Sequence, residues 1–208
     1  MSATPNLSLK PLSQEPELGS ADFAALEKLS SSSAPAIVKA PSQGTLRLYL
    51  SQPQSIAVVL PLLAHLGISV KNQAAFAVTF EGKDITLFEL ELEHTDFPQN
   101  DRALELAEDA LNAVLTQEAE DDELNQLITA QQVSWRTVVV LRAYAAYLAQ
   151  LGVKPTTKTI AGYYLNYPEL TASFIEYFHT SFDPELDLDR QERLDHREEL
   201  AVRIEKQM

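Results

Sequence analysis

The chain is poor in the residues that build several common kinds of site. It has no cysteine and only 6 glycines among its 208 residues. The absence of thiols excludes disulfides, thiol nucleophiles and thiolate metal sites, and it fits a reducing compartment, so we expect a cytoplasmic protein. The nearest pair of glycines, Gly152 and Gly162, is 10 residues apart. This spacing excludes a glycine-rich phosphate loop and therefore a complete dinucleotide-binding fold.

Long apolar runs and basic residues are also scarce. The longest apolar stretch, from Ile56 to Leu66, is too short and too interrupted to span a bilayer, and the N-terminus lacks the pattern of a signal peptide. Acidic residues number 30 against 16 basic ones, which gives a formal net charge of -14. Because such a surface repels phosphate backbones and anionic lipids, we expect no nucleic-acid or membrane partner.

Apolar side chains are nevertheless plentiful enough for one or two small cores, since 45% of the residues are hydrophobic. The N-terminal residues 1–43 differ from the rest, because they are rich in serine, proline and alanine and include four serines from Ser30 to Ser33. This composition predicts a disordered arm. A short helix from Ala21 to Leu29, begun at Ser20, is compatible with the pattern but too short to hold unaided.

Residues 44–98 predict a small domain of order βαββ. Residues 45–51 alternate at the two-residue period of a half-buried strand. Ser55 is a helix cap and Gly67 a helix stop, while Pro61 between them indicates a kink or a late helix start. Residues 70–80 and 85–94 then predict two strands joined by a turn at Gly82. A phase slip at Phe88 and Glu89 indicates a bulge, or a strand that is covered on both faces.

The remaining sequence predicts helices, so the fold class is α+β. Residues 99–186 carry apolar stripes at helical spacing and form a predicted helical domain. Residues 187–208 are mostly charged, with a thin apolar seam, and predict a helix that leans on a partner or frays. The acidic run from Glu118 to Glu123 is read as a solvated helix start or link rather than a metal cage.

No residue pattern points to catalysis by this chain alone. The histidines at positions 65, 94, 179 and 196 lack the spacing of metal ligands, and no serine stands in a nucleophile motif. We therefore predict no catalytic, cofactor-binding or metal-binding residue. The acidic run and Arg142 are the only features that support the alternative that this chain is itself an enzyme.

One segment stands out as a structural or interaction element, namely VSWRTVVVLRAYAAYLAQ, residues 133–150. It places Trp135, Arg136, Arg142, Tyr144 and Tyr147 on one predicted helix. The two arginines are six positions apart and so lie on different faces. We expect the tryptophan to anchor helix packing and the arginines to form ion pairs, with ligand binding as the alternative.

Three stretches resemble the large bacterial NAD-dependent glutamate dehydrogenases. EAEDDELNQLITAQQVSWRTVVVLRAYAAYLAQLG is similar to the family's acidic run and Ser-Trp-Arg helix, and NYPELTASFIEYFHTSFDP is similar to its His-Pro-Glu helix ending in Phe-Asp-Pro. LRLYLSQPQSIAVVLPLLAHLGISV resembles the opening strand and helix of the last ACT-like domain. The resemblance therefore implies an ACT-like sheet followed by helices that precede the catalytic domain.

The resemblance also implies a function. It points to a non-catalytic regulatory or scaffolding segment of an enzyme that deaminates glutamate oxidatively to 2-oxoglutarate, with NAD as the cofactor of that enzyme and not of this chain. A protein partner or a homo-oligomer is expected, with an amino acid as effector. ACT domains have the order βαββαβ, and no fourth strand is evident here, so we expect the sheet to be incomplete or extended by a partner. The alternative is a stand-alone ACT-like interaction or amino-acid-binding module.

Overall fold

A computed structural model describes the backbone of residues 7–10 and residues 17–93, 100–152 and 156–208 in full. The chain divides into two compact units, unit 1 being residues 1–135 and unit 2 residues 136–208. The strands are β1 (Leu7–Lys10), β2 (Ala36–Ser42), β3 (Thr45–Leu50), β4 (Val70–Phe80) and β5 (Lys83–Leu92). The helices are α1 (Ser20–Ser31), α2 (Ile56–His65), α3 (Asp101–Leu115), α4 (Gln126–Ala130), α5 (Trp135–Gln150), α6 (Thr157–Asn166), α7 (Pro168–Phe182) and α8 (Arg190–Gln207). The α+β class is thus confirmed.

The strands of unit 1 form one antiparallel sheet in the order β1-β4-β5-β3-β2. β3, α2, β4 and β5 follow each other as the sequence predicts. The place beside β3 is taken by β2, which precedes β3 in the chain and pairs with it in the hairpin Ala36–Leu50. The expectation that the sheet has no strand beyond the three predicted ones is therefore wrong, because β1 and β2 lie upstream in the chain. The ACT-like assignment stays a prediction.

The hairpin between β4 and β5 has the turn that its sequence indicates. Phe80 pairs with Lys83, so Glu81 and Gly82 alone make the connection. Both have positive φ, 49° and 78°. Two successive residues of this kind make the turn whose twist matches that of paired strands.

β5 is covered on both faces, which is one of the two readings of its phase slip. Leu87 and Phe88 are adjacent and both are buried, although they point to opposite faces. The register of β5 against both neighbours is continuous through this point. The bulge is therefore absent from β5, and the one register shift between β4 and β5 lies between Val70 and Asn72.

The predicted disordered arm is wrong for residues 20–42, which form α1 and β2. Leu26 and Leu29 of α1 are buried in a core with Ile37 of β2 and Tyr49 of β3. The helix considered at Ala21–Leu29 is therefore present. It is held by contacts with strands that follow it in the chain, which local propensity alone does not indicate. Residues 1–6 and 11–16 of the predicted arm lie outside the described residues.

α2 begins and ends as predicted. The Ser55 side chain accepts a hydrogen bond from the Ala57 backbone N–H at 3.3 Å, and Gly67 takes a φ of 73° after the last turn. Pro61 lies inside the helix, which starts five residues earlier at Ile56. The late start that we considered is therefore not observed.

The outer edge of β2 is capped by side chains of α3. Asn112 accepts a hydrogen bond from the Ala36 N–H at 2.8 Å and donates one to the Ala36 carbonyl at 3.0 Å. Glu108 accepts from the Val38 N–H at 2.9 Å. These bonds satisfy groups that an open edge offers to another strand. They also tie α3 to the sheet within unit 1.

Unit 2 consists of α5 to α8. α7 and α8 are tied by a bond from Arg203 to Glu176 at 2.8 Å and by one from Ser173 to Gln207 at 3.1 Å. The charged C-terminal helix thus leans on α7 of its own chain. Its N-terminus is capped by Asp189, which accepts from the backbone N–H groups of Gln191 and Glu192. No helix within the described ranges is both long and apolar enough to cross a membrane.

Candidate functional site

A groove of about 700 Å³ opens between the helices of unit 2, and apolar and aromatic side chains dominate its surface. Clefts of this size and character bind ligands or apolar segments of proteins. It is lined by Tyr144, Tyr147, Leu148, Thr159, Ile160, Tyr163, Tyr164, Phe174, Tyr177, Ala201, Ile204 and Glu205.

Each wall of the groove comes from a different helix. Tyr177 is held on α7 by Arg197 of α8, whose guanidinium lies 5.4 Å from the ring centre and donates to the phenol oxygen at 3.1 Å. Tyr144 of α5 meets Phe178 of α7 edge to face, with ring centres 6.4 Å apart. Such aromatic and cation–π contacts fix ring orientation as well as adding stability. The groove is therefore a preformed surface.

The tyrosines at its base remain neutral. Burial raises the pKa of Tyr164, and the neighbouring Tyr144 raises it further. Burial likewise raises the pKa of Tyr144, with a smaller effect from Tyr177. These phenols therefore act as apolar surface with a hydrogen-bonding tip and not as bases near neutral pH.

A second polar feature, in unit 1, is a buried charged network beneath the N-terminus of α1. Asp22 accepts hydrogen bonds from the Gly19 backbone N–H, from Arg47 at 2.8 Å and from the Tyr49 hydroxyl. Arg47 also donates from Nε to Glu89 at 2.8 Å. The network ties α1 to β3 and β5.

The pKa values of this network follow from its contacts. Burial alone raises the pKa of Asp22, but the bonds from Tyr49, Gly19 and Arg47 outweigh it and hold that pKa below its usual value. Burial lowers the pKa of Arg47, but its bonds to Glu89 and Asp22 leave it raised. Burial and the adjacent Asp22 raise the pKa of Tyr49. The network is therefore an ionised pair held by a neutral phenol at physiological pH.

Beside this network lies a polar cleft of about 870 Å³ between α1, the end of β2 and α3. Lys39, Asp101 and Glu105 border it, together with Arg47 and Glu89. Lys39 is half-buried and has no ion pair within the part of the chain that the structure describes. The cleft thus offers a cation and carboxylates within one opening.

Two of the histidines that the structure describes lie beside aspartates. His65 Nδ1 lies 2.9 Å from Asp121, and His179 Nδ1 lies 3.5 Å from Asp183. In residues 17–93, 100–152 and 156–208, no three His, Asp or Glu side chains are grouped as a metal would require. His94 lies outside the described residues. Asp122 of the acidic run caps the short 3₁₀ turn 123–125 by accepting from the Leu124 N–H, which confirms that the run starts a helix.

The five residues singled out from the sequence lie on α5, but only two of them meet in the groove. Tyr144 and Tyr147 line it. Trp135 is half-buried at the start of α5, Arg136 is exposed and Arg142 is half-buried. Each of the three makes at least one polar or ring contact with another residue. Their structural or interaction role stays a prediction.

Sequence reasoning missed the other half of the groove. Tyr163 and Tyr164 on α6 and Tyr177 on α7 come from helices that were assigned to a core without a site. The signal was the run of tyrosines at 163, 164 and 167. The Asp22–Arg47 pair was missed as well, because Asp22 lies in the part assigned to the arm.

The helices of the groove match a known family. Residues 119–184 match the family described as "Glutamate dehydrogenase, helical motif 3". This range contains α4 to α7 and therefore all the groove residues except those on α8. Helices α4 to α7 are thus similar to a helical motif of glutamate dehydrogenases.

Similar proteins make the relation more specific. The chain is 30% identical over 134 residues to the NAD-specific glutamate dehydrogenase of Halomonas elongata, covering 64% of this chain and 8% of that protein. It is 28% identical over 138 residues to the enzyme of the same name from Mycobacterium tuberculosis, covering 62% and 8%. The corresponding protein of Pseudomonas aeruginosa is 26% identical over 133 residues, covering 62% and 8%.

These matches confirm the resemblance that the sequence carries: the chain is related to a segment of the large NAD-specific glutamate dehydrogenases. It spans about 8% of the length of the curated relatives that it matches.

Proposed function

We propose that this chain is a non-catalytic scaffolding or regulatory segment that works with the remaining parts of an NAD-dependent glutamate dehydrogenase in the cytoplasm. The observation that carries the proposal is the match of α4 to α7 to a helical motif of that family. In the relatives, such a segment is a small part of a much longer polypeptide. The activity assisted is the oxidative deamination of glutamate to 2-oxoglutarate.

The features of the described residues suit this role. Unit 2 presents an aromatic groove and exposed apolar side chains such as Tyr147 and Tyr163, which favour contact with protein surfaces. In unit 1, side chains of α3 already bind backbone groups at the β2 edge of the sheet, so this edge is not open to a strand of another protein. In this role, the apolar surface of unit 2 binds other parts of the enzyme and fixes their position.

Binding to a shortened relative tests the proposal. The segment that matches residues 119–184 is deleted from the Halomonas elongata enzyme, and sedimentation velocity measures whether the purified chain binds the product. We expect saturable binding to the shortened enzyme and none to the intact enzyme, which holds its own copy of the segment. If a folded chain binds neither protein, the scaffolding role is wrong.

A second candidate is an amino-acid-binding module, and the polar cleft of unit 1 favours it. An amino acid carries a carboxylate and an ammonium group, and the cleft brings Lys39 together with Asp101 and Glu105. Opposite charges at one opening suit such a zwitterion.

Thermal unfolding with a panel of amino acids distinguishes this role. A ligand at 100 times its dissociation constant stabilises the folded state by about 2.7 kcal/mol. Lys39→Met should abolish the shift without lowering the midpoint of the free protein. If no amino acid shifts the midpoint, the sensing role is wrong and the scaffolding role is unaffected.

A further inference from the structure

Tyrosines dominate the aromatic lining of the groove in unit 2. Five of the seven tyrosines of the chain line it, at positions 144, 147, 163, 164 and 177. The face of an aromatic ring carries partial negative charge and attracts cations. Because the five rings come from three helices, α5, α6 and α7, they surround a space that suits a cation better than an anion.

A carboxylate adds to this preference. Glu205 of α8 is the only charged side chain among the described residues that line the groove. It is exposed, and it forms no ion pair within residues 17–93, 100–152 and 156–208. Arg203, two positions earlier on the same helix, is paired with Glu176 instead. The groove therefore combines tyrosine rings with a carboxylate that has no cation of its own.

Unit 2 already holds one guanidinium on a tyrosine. Arg197 lies 5.4 Å from the ring centre of Tyr177 and donates to its phenol oxygen at 3.1 Å. A tyrosine of this unit thus receives an arginine both on its ring and at its hydroxyl. Arginine suits the groove better than lysine, because its planar guanidinium stacks on rings and forms two parallel hydrogen bonds to a carboxylate.

The size and charge of the protein indicate what carries this arginine. The groove has a volume of about 700 Å³, which is more than one side chain fills, and Leu148, Ile160 and Ile204 supply apolar surface beside the tyrosines. A protein segment with an arginine among apolar side chains matches both features. The net charge of -14 also favours a basic partner over an acidic one.

We propose that the groove of unit 2 is a binding site for an arginine side chain of a partner segment, with the guanidinium held between the tyrosine rings and Glu205. In the scaffolding role, this segment belongs to another part of the dehydrogenase, so the source of the arginine rests on the proposed function. The site itself does not. Paired hydrogen bonds to Glu205 fix the direction of the arginine, so the contact orients the partner as well as attracting it.

Two small probes of the same shape test the site without a partner protein. Benzylguanidinium carries the cation of arginine, and benzylurea is its neutral counterpart. Titration of the isotope-labelled chain, followed by nuclear magnetic resonance, gives a dissociation constant for each probe. We expect benzylguanidinium to bind about tenfold more tightly, through the combined effect of an exposed cation–π contact and an exposed ion pair.

Glu205→Gln and Glu199→Gln are matched variants on α8. Both carboxylates are exposed, but only Glu205 lines the groove. Glu205→Gln should reduce the preference for benzylguanidinium to about a third and leave the affinity for benzylurea unchanged. Glu199→Gln should bind both probes like the natural chain. The proposal is overturned if neither probe binds, if both bind equally, or if Glu205→Gln leaves the preference intact.

The shortened Halomonas elongata dehydrogenase separates failure of the site from failure of the scaffolding role. Sedimentation velocity compares how tightly it binds the natural chain and Glu205→Gln, and we expect the variant to bind about threefold more weakly. If the natural chain prefers benzylguanidinium but does not bind the shortened enzyme, the scaffolding role is wrong and the arginine site stands. If the natural chain and the variant bind the enzyme equally well, the partner does not place an arginine in the groove, and only the scaffolding role stands.

Discussion

Replacing Arg47 with methionine removes the buried cation between two carboxylates while retaining most of the length of the side chain. Asp22 would then keep its charge with only 7% of its side chain exposed and without its positive partner. Breaking a buried ion pair by removing one partner costs about 3 to 5 kcal/mol. Glu89 is 36% exposed and recovers its hydration, so we expect a loss of about 3 kcal/mol, at the lower end of this range.

Urea unfolding followed by circular dichroism measures this loss, with Lys71→Met as the matched control. Lys71 forms an ion pair with Glu91 at 2.9 Å on the same sheet, but the two side chains are 59% and 49% exposed. Solvent screening makes such pairs weak, so the control should change the free energy of unfolding far less. Equal losses in the two variants would refute the reasoning that burial sets the value of the Arg47 contacts.

The same variant has a predictable pH dependence. The folded-state pKa of Asp22 lies below its usual value, so its ionised form stabilises the fold at every pH above the unfolded pKa of about 3.9. That stabilisation is lost as the pH falls through the lower, folded-state pKa. A protonated Asp22 no longer needs Arg47, so the difference between the natural chain and Arg47→Met should shrink below about pH 4. A difference that grows in acid would contradict the assignment.

Three further substitutions test the fold by the same urea assay. Asn112→Ala should lower the free energy of unfolding by about 1 to 3 kcal/mol, because it leaves the backbone N–H and carbonyl of Ala36 at the β2 edge without partners. A decrease below about 0.5 kcal/mol would show that water replaces the lost bonds. Gly67→Ala should destabilise more than Gly44→Ala: both glycines have positive φ, 73° and 80°, but only at Gly67 would the new Cβ come within 3.0 Å of a neighbouring side chain. Ser55→Ala should lower the free energy of unfolding by about 1 kcal/mol, because α2 loses its N-terminal cap. An unchanged urea midpoint would show that the cap does not stabilise the fold.

The elements that the sequence predicts well are those with local determinants. The hairpin of β4 and β5 is marked by Gly82, the α2 helix by Ser55 and Gly67, and α7 by Pro168 at its first turn. Each of these residues favours its conformation through its own backbone or side chain. Nothing distant in the chain is needed to recognise them.

α1 was considered only as a short helix unable to hold unaided, and β2 was missed, because their determinants are distant in sequence. Asp22 is stabilised by Arg47, 25 residues later, and the Ala36 backbone by Asn112, 76 residues later. The local sequence of residues 20–42 is rich in serine and weakly periodic, and it does not indicate that Arg47 or Asn112 will contact it. The predicted disorder therefore failed where tertiary contacts outweigh local composition.

The groove was found only in part for a similar reason. Tyr144 and Tyr147 stand on one predicted helix, and they were singled out from the sequence together with Trp135 and the two arginines of that helix. Tyr163 and Tyr177 belong to other helices, and only the packing of α6 and α7 against each other and of α7 against α8 brings them to the same opening. No single-sequence pattern specifies which faces of separate helices converge.

The measurement that tests the proposed role most directly is the rate of glutamate-dependent NAD reduction by the shortened Halomonas elongata dehydrogenase at rising concentrations of this chain. A scaffolding segment should raise the rate to a plateau, while the chain alone produces no NADH. A rate that stays flat at concentrations where the chain is folded, or NADH production by the chain alone, would contradict a non-catalytic role within a glutamate dehydrogenase.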